Sequence, residues 1–259
     1  MHRSQTALLL LLFSACTTVS EPPSVYSEVR VRSQHVFRGV SQTDGKVIQA
    51  LSHWTVDLGE GQRFRLGTFL NADGTNDSGD GIFPDGNGGQ ITRVEFEPTW
   101  IWDLADGTLS AGIVNRSHPN LAGYGDTSEA VLEWESASRI FALQPRFKVY
   151  YDLEDGDGLY TLLGVGRSRE LKPGWSLDTS FTLAYADRDQ ATVLYQADEA
   201  GFADLTAQAV LHWKKTSNLD ISGTFAASTI VSNHLADSLK ANGLDDANAW
   251  LGLGMSWTF

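Results

Sequence analysis

The chain has 259 residues, a length that suits one large β domain or two smaller domains. Its 19 Lys and Arg residues stand against 32 Asp and Glu residues, and the resulting net charge of -13 would repel a nucleic-acid backbone. No apolar run reaches the roughly 18 residues that a membrane-spanning helix needs, whereas a transmembrane barrel needs only alternate apolar residues. Composition therefore argues against nucleic-acid binding and against a helical membrane protein.

The first 15 residues have the features of an export signal. A short basic start precedes an apolar run at residues 7–13, which is too short to cross a bilayer but typical of a secretory signal peptide. The segment FSAC, residues 13–16, resembles the lipobox of bacterial lipoproteins, in which the cysteine is acylated and becomes the mature N-terminus. Cys16 is the only cysteine, so it has no disulfide partner. We expect residues 1–15 to be a lipoprotein-type signal peptide, Cys16 to be the lipid attachment site, and residues 16–24 to form a periplasmic linker. The alternative is an ordinary signal peptide with Cys16 as a bystander.

Residues 25–259 alternate between apolar and polar side chains with a period of two, which is typical of β-strands. In the first run, residues 25–37, Val29 and Val31 alternate with Arg30 and Arg32. About twelve such runs are present. They begin near residues 25, 47, 64, 90, 108, 128, 140, 159, 175, 202, 218 and 247.

One residue conflicts with this pattern. Pro145 lies in the middle of the seventh run, residues 140–151, and cannot donate a ladder hydrogen bond. We therefore expect either a β-bulge there or a different strand boundary.

The connections between the runs alternate in length. Short ones occur at residues 59–62, 105–107, 136–138, 172–174 and 216–217, and long ones at residues 71–89, 118–125, 152–158, 187–201 and 232–246. Outer-membrane barrels have short periplasmic turns and longer extracellular loops, whereas a soluble β-sandwich has no reason to sort its loops in this way. An even number of strands places both chain ends at the short-turn, periplasmic side.

Aromatic residues support the same architecture. Seven tryptophans are expected at the short-turn ends of the strands: Trp54, Trp100, Trp102, Trp134, Trp175, Trp213 and Trp257. Such a ring is typical of the girdle at a lipid headgroup boundary, whereas a soluble core would scatter the indoles along the strands. The last run ends in Trp257 and Phe259 on one face, and it resembles the closing strand that the barrel-assembly machinery recognises.

The stretch HVFRGVSQTDGKVIQA, residues 35–50, resembles the opening hairpin of the TorF family of porins. Members of that family begin with a Phe-Arg-Gly-Val/Ile-Ser-Gln phrase, followed by a glycine-containing turn and a strand; here the motif covers residues 37–49. The resemblance implies an outer-membrane barrel and a passive channel, and it supplies no catalytic residue. We expect residues 35–45 to be a surface loop, with Asp44-Gly45 as its turn. Arg38 is then either an anion-selecting charge near the outer mouth or the partner of a loop carboxylate that holds the hairpin shut.

Charged residues fall on the face of the strands that would line the lumen. On the lipid face, an Arg or Lys at the bilayer midplane would cost about 2–4 kcal/mol. The pore-lining candidates are Arg30, Arg32, Arg63, Arg65, Arg93, Glu95, Glu97, Glu129, Glu133, Arg146 and Lys148. Hairpin geometry predicts Arg63 and Arg65 beside Glu95 and Glu97, and Glu129 near Arg146. These charges either line an open pore or stiffen a nearly closed barrel through salt bridges.

The long connections are rich in acids. The acidic residues are Asp73, Asp77, Asp80, Asp85, Asp152, Glu154, Asp155 and Asp157. Residues 71–86 lack the spacing of an EF-hand, so no metal site and no cofactor are predicted, although divalent cations could bridge these acids to lipopolysaccharide. Ser117-His118 and the pair Ser232 and His234 are the serine and histidine combinations available to a hydrolase, and adjacent strand residues point to opposite faces.

The sequence predicts an all-β, antiparallel, up-and-down transmembrane barrel of about twelve strands in the outer membrane of a Gram-negative bacterium, with both termini periplasmic. Its expected function is that of a porin passing small polar solutes by passive diffusion. The alternatives are a closed structural or surface-interaction barrel with acidic, cation-binding loops, or an outer-membrane hydrolase. Expected partners are outer-membrane lipid and lipopolysaccharide, the barrel-assembly machinery and small polar solutes, with no nucleic acid among them.

Overall fold

The computed structural model describes residues 22–259 except 77, 78, 80, 122, 123, 141, 155 and 156. The predicted signal peptide, Cys16 and most of the linker lie outside the described residues, as do Asp77, Asp80 and Asp155 of the acidic loops.

The described residues form fourteen strands and two short helices. In chain order these are β1 (Ser24–Arg32), β2 (His35–Phe37), β3 (Val40–Thr43), β4 (Val47–Gly59), β5 (Gln62–Asp73), β6 (Ile91–Leu104), β7 (Gly107–Ser117), β8 (Thr127–Ser136), β9 (Gln144–Asp152), β10 (Leu159–Lys172), β11 (Trp175–Ala186), α1 (Arg188–Tyr195), β12 (Gly201–Lys214), β13 (Leu219–Ile230), α2 (Asn233–Ala241) and β14 (Ala247–Thr258).

Twelve of the described strands close into one antiparallel barrel. β1 pairs with β4, each later strand pairs with the next, and β14 closes the ring against β1, with Val29 opposite Met255. Closure leaves no unpaired edge in the wall. The predicted twelve-stranded up-and-down barrel is confirmed, but β2 and β3 form a separate two-stranded sheet that the sequence did not predict.

The two faces of the wall differ sharply in polarity. On the outside, Leu253 is 72% exposed and Phe181 is 55% exposed, whereas Glu129 on the inside is 2% exposed. A water-soluble protein shows the opposite arrangement, because apolar side chains are usually buried and carboxylates exposed. No helix in the described part of the chain is long and apolar enough to span a membrane.

Connections at the two ends of the barrel differ in length, as predicted. At the short-turn end β4 and β5 are joined through residues 60–61, and β10 and β11 through residues 173–174; the opposite, long-loop end carries α1 and α2. Tryptophans lie near the short turns on the outer face, and Trp175 stacks on Trp213 with ring centroids 5.7 Å apart. Trp250 is on the other face and is 8% exposed.

Two predicted strand boundaries are wrong. The first strand does not run to Phe37, because Arg32 pairs with Val47 in the wall and the chain leaves the barrel after Arg32. The seventh barrel strand begins at Gln144, so Pro145 is its second residue, opposite Val165. A proline at a strand start does not interrupt the ladder, and this resolves the conflict seen in the sequence.

A small apolar core fills the space at the long-loop end. Tyr195 of α1 and Leu235 and Leu239 of α2 are fully buried, and they pack with Tyr160 of the wall and Val40 of β3. The two helices therefore fold over the barrel mouth instead of projecting into solvent.

The start of α1 is fixed by Asp187, whose side chain accepts a hydrogen bond of 2.9 Å from the Gln190 backbone N–H. We expect Asp187→Ala to destabilise the cap by about 1 kcal/mol, because a helix N-terminal donor loses its acceptor. The thermal midpoint of the folded, detergent-resistant gel band measures this loss. Asp189→Ala, two residues further on in the first turn of α1, is the control and should change the midpoint less; equal effects would contradict the capping role.

Candidate functional site: a hairpin inside the barrel

Residues 33–46 leave the wall between β1 and β4 and fold into the lumen as the β2–β3 hairpin. The tight turn is Arg38-Gly39, where both residues have positive φ, 51° and 79°. Val40 and Thr43 are 1% and 0% exposed. The prediction of a surface loop with its turn at Asp44-Gly45 is therefore wrong.

Polar side chains of the wall hold the hairpin both at its base and at its turn. Gln34 donates to Asn248 of β14 at 2.8 Å, and Asn248 in turn donates to the Gly39 carbonyl oxygen at 2.8 Å. On the other side, Thr43 donates to Asp73 of β5 at 3.2 Å. A two-stranded hairpin is marginally stable in water, so these contacts explain why it is ordered inside the lumen.

Arg38, at the hairpin tip, is enclosed by wall residues. Its guanidinium lies 2.7 Å from a Glu129 carboxylate oxygen, and the two side chains are 5% and 2% exposed. The guanidinium carbon also lies 4.7 Å from the ring centroid of Tyr150 and 4.4 Å from that of Tyr160. Tyr195 of α1 donates to the Arg38 carbonyl oxygen at 2.8 Å. Each alternative for Arg38 is correct in part. Arg38 is a charge in the lumen, and it pairs with a carboxylate, but that carboxylate belongs to strand β8 and not to a loop.

Phe37 is surrounded by guanidinium groups. Arg93 lies 3.9 Å from its ring centroid, and Arg38 and Arg116 each lie 4.8 Å from it. Stacking on an aromatic face suits arginine, because its guanidinium is planar and weakly hydrated.

These cations join one buried ion-pair network. Arg116 contacts Glu129 at 3.1 Å and Glu95 at 2.8 Å, and Arg93 also pairs with Glu95. Removing one member of such a network leaves the others buried without compensation, so its parts stabilise one another.

All eleven predicted pore-lining residues lie on the inner face, but their pairing differs in part from the prediction. Arg65 does pair with Glu97, at 3.4 Å. Arg63 instead pairs with Asp103 near the short-turn end. Glu129 is not near Arg146, because the register places Arg146 opposite Glu135.

Sequence reasoning missed Arg116, Tyr150, Tyr160 and Asp204. The alternation of β7 places Arg116 inside, and this signal was available in the sequence. Asp204, which accepts hydrogen bonds from Tyr160 and from Thr206, follows a register irregularity in β12 that alternation does not reveal.

The loop that follows β5 seals the hairpin from the long-loop end. Ile82 and Phe83 donate backbone hydrogen bonds to the carbonyl oxygens of Ser41 and Gln42 at 3.1 and 2.8 Å, which joins this loop to β3. Phe83 is 2% exposed and packs edge-on against Tyr124, with ring centroids 5.4 Å apart.

Two of the acidic candidates are buried, and the histidine of one catalytic candidate pair contacts a backbone carbonyl oxygen. Asp73 and Asp152 are 2% and 6% exposed, so they are not displayed at the surface as expected. His118 contacts the Gly125 carbonyl oxygen through Nδ1 at 3.1 Å. Among the described residues, no group of three or more His, Cys, Asp or Glu side chains could hold a metal ion.

A cavity of about 590 Å³ lies at the short-turn end of the lumen, against strands β10–β14 and β1. Its lining includes small polar residues such as Ser176 and Ser256, and aromatic residues such as Trp175. His212 lies within it between two carboxylates, 2.6 Å from Asp220 and 3.3 Å from Asp178. The lumen is therefore filled at the long-loop end and contains free volume at the short-turn end.

His35, in β2, is 3% exposed, and its Nδ1 has no hydrogen-bond partner in the described part of the chain. Burial lowers the pKa of His35 well below its usual range, and the nearby Arg93 and Arg32 add to the shift, against a smaller opposing effect of Glu95. The seated hairpin thus holds a neutral imidazole, whereas a released one would carry an ordinary histidine.

Hairpin seating is expected to weaken in acid. The pKa of His35 is lower in the seated state, so protonation of the imidazole favours release of the hairpin. The contribution of neutral His35 to the free energy of seating is therefore complete above the ordinary pKa of about 6.5, and it falls by about 1.4 kcal/mol for each pH unit below that value. Chymotrypsin activity itself changes across this range, so release is measured by pulsed labelling of a Val40→Cys, Cys16→Ser variant. Each rate is divided by that of a free peptide thiol at the same pH, because only the thiolate reacts. His35→Gln in the same background should flatten the response between pH 7 and 5; an unchanged slope would contradict the assignment.

Comparison with solved structures supports the fold. The crystal structure of an outer membrane channel from Pseudomonas putida F1 is similar, with a TM-score of 0.55 and 10% identity over 95% of this chain and 98% of that one. The KdgM porin has a TM-score of 0.48 and 10% identity over 90% and 99% of the two chains. The NanC porin has a TM-score of 0.47 and 12% identity over 91% and 99%. No family model and no curated protein matches the chain. The likeness to the Pseudomonas channel shows that the fold is that of an outer-membrane barrel.

Proposed function

We propose that the protein is a porin-type barrel of the Gram-negative outer membrane that passes small polar solutes by passive diffusion when its internal hairpin withdraws. The observation that carries this proposal is the distribution of polarity, because the outer face is mainly apolar and the inner face is mainly polar, with a buried charged network around Glu129. In a soluble protein, exposed apolar residues such as Leu251 and Leu253 would be in contact with water, which is unfavourable, whereas in a membrane lipid would cover them.

The lumen explains why passage needs a conformational change. Its short-turn half contains the cavity of about 590 Å³, but its long-loop half holds the hairpin tip. The hairpin is held against the wall by non-covalent contacts, and Arg32 and Val47 remain paired in the wall beneath it. Residues 33–46 can therefore move without opening the barrel.

We make further proposals about the family of the protein and about its anchoring in the membrane. The phrase Phe-Arg-Gly-Val-Ser-Gln, residues 37–42, forms the hairpin tip and β3. On the resemblance of this phrase alone we propose membership of the TorF family. We propose that Cys16 carries a lipid in the periplasmic leaflet, that both termini are periplasmic, and that Trp257 and Phe259 engage the barrel-assembly machinery. Lipopolysaccharide would surround the long-loop end.

A hairpin deletion tests the channel. Because Arg32 and Val47 are direct partners, residues 33–46 can be replaced by the two-residue turn Asn-Gly. In planar bilayers the deletion variant should conduct for a larger share of the time than the wild type, and liposomes containing it should swell in small sugars. Boiled and unboiled gel mobility first shows that the variant is a closed barrel. A closed barrel that neither conducts nor allows swelling would overturn the proposal.

The second candidate is a closed structural or surface-interaction barrel. It is favoured by the burial of the network around Glu129, which fills the long-loop half of the lumen. An impermeable deletion variant is the result that supports it.

A further inference from the structure

The wall provides Arg38 with a complete receptor for its guanidinium group. Glu129 on β8, Tyr150 on β9 and Tyr160 on β10 surround the guanidinium, and we call these three residues the Arg38 seat. The tyrosines are direct cross-strand partners with ring centroids 6.2 Å apart. All three belong to neighbouring barrel strands, so the seat remains in place when the hairpin moves.

The chemistry of the seat selects a planar cation. A carboxylate at 2.7 Å supplies charge-assisted hydrogen bonds, and two aromatic faces within 4.7 Å of the guanidinium carbon supply cation–π contacts. Glu129 is held from its other side by Arg116 at 3.1 Å, which fixes the carboxylate in place. A neutral solute would leave this buried carboxylate short of one partner.

We propose that the Arg38 seat is a binding site for guanidinium-bearing solutes, and that Arg38 occupies it as a ligand built into the chain. The solute and the hairpin tip compete for the same three residues. A tethered arginine has an effective concentration on the order of millimolar, so a free solute displaces it only at comparable concentrations or above. That guanidinium-bearing solutes pass through the channel rests on the proposed function. That they bind the Arg38 seat does not depend on it.

The backbone at Arg38 provides a suitable variant. Its φ of 51° lies in the left-handed region, where glycine and asparagine are the favoured residues. Arg38→Gly should therefore keep the hairpin turn and leave the seat empty. Arg38→Asn is the second variant, since it also tolerates this conformation and carries no charge.

The test is chemical rescue of Arg38→Gly by methylguanidinium. The thermal midpoint of the folded gel band should rise with probe concentration and saturate, as expected when a ligand binds only the folded state. Arg38→Asn, with a short side chain that leaves most of the seat open, should respond in the same direction. Methylurea, a neutral molecule of similar shape, should have no effect, and Arg38→Gly combined with Glu129→Gln should not respond to methylguanidinium.

Several outcomes would overturn the proposal. These are no response of either single variant, an equal response to methylurea, or an equal response of the double variant. If neither single variant folds, the wild type decides: chymotrypsin cleavage after Phe37 should become faster with methylguanidinium and not with methylurea, and an unchanged rate would reject the site. Rescue is measured in detergent without any flux, so failure of conductance and failure of binding are separate results.

Discussion

Replacing Glu129 with alanine is expected to release the hairpin and to cost about 3–5 kcal/mol of stability, the typical result of removing one partner from a buried ion pair. Glu129 is 2% exposed and neutralises both Arg38 and Arg116, so its loss leaves two buried guanidinium groups short of a partner. The hairpin, which is not part of the wall, is the element most able to leave. Two measurements check this: the thermal midpoint of the folded band, and the rate of chymotrypsin cleavage after Phe37 at neutral pH.

Glu133→Ala is the matched control for Glu129→Ala. Glu133 lies on the same strand and the same face, and pairs with Lys148 at 3.2 Å, but the two side chains are 26% and 21% exposed. Solvent-screened pairs contribute about 1 kcal/mol or less, so we expect a small change and no increase in cleavage. Similar results for the two variants would mean that the Glu129 contacts do not hold the hairpin.

Gly39→Ala is expected to unseat the hairpin tip by a steric route. At φ 79° an added Cβ would lie 2.6 Å from Cβ of Asp204 and 2.9 Å from Cδ1 of Ile230. Left-handed backbone strain costs about 1–2 kcal/mol, and overpacking against neighbours that cannot move adds about 1–3 kcal/mol. The variant should lower the thermal midpoint and make Phe37 accessible to protease.

Gly89→Ala separates the two contributions. Gly89 also has a φ of 79°, but an added Cβ would meet nothing within 4 Å, so this variant carries the backbone strain alone. The difference between the two midpoints is then the steric cost of the close approach at Gly39. If the midpoints fall equally, the tip is not packed against Asp204 and Ile230 in solution.

Much of the barrel could be predicted from the sequence, because each wall strand repeats one physical rule. Leu251, Leu253 and Met255 face outward while Gly252 and Gly254 face inward, and only this alternation suits lipid on one side. The closing contact between β1 and β14 follows from the same alternation, since an open edge is not tolerated in a membrane.

The seated hairpin could not be predicted in the same way. The alternation of β1 lapses at residues 33–35, which are all polar, but such a lapse does not show that the chain turns into the lumen after Arg32. What fixes the hairpin is a long-range contact between Arg38 and Glu129, 91 residues apart. The glycine after Arg38 was a usable signal, because a tight turn at Arg38-Gly39 needs positive φ, whereas Asp44-Gly45 was the more familiar turn dipeptide.

Part of the hairpin base is held by the last strand of the wall. Gln34 is held by Asn248, and Ser33 exchanges hydrogen bonds with Leu251, so the anchor belongs to the strand that is synthesised last. Until β14 docks on β1, the hairpin lacks the bonds to Asn248 and Leu251 that hold its base. Such sequence-distant pairing is slow to form. The base of the hairpin is therefore fixed in the same step that completes the wall, at the seam where the two chain ends meet.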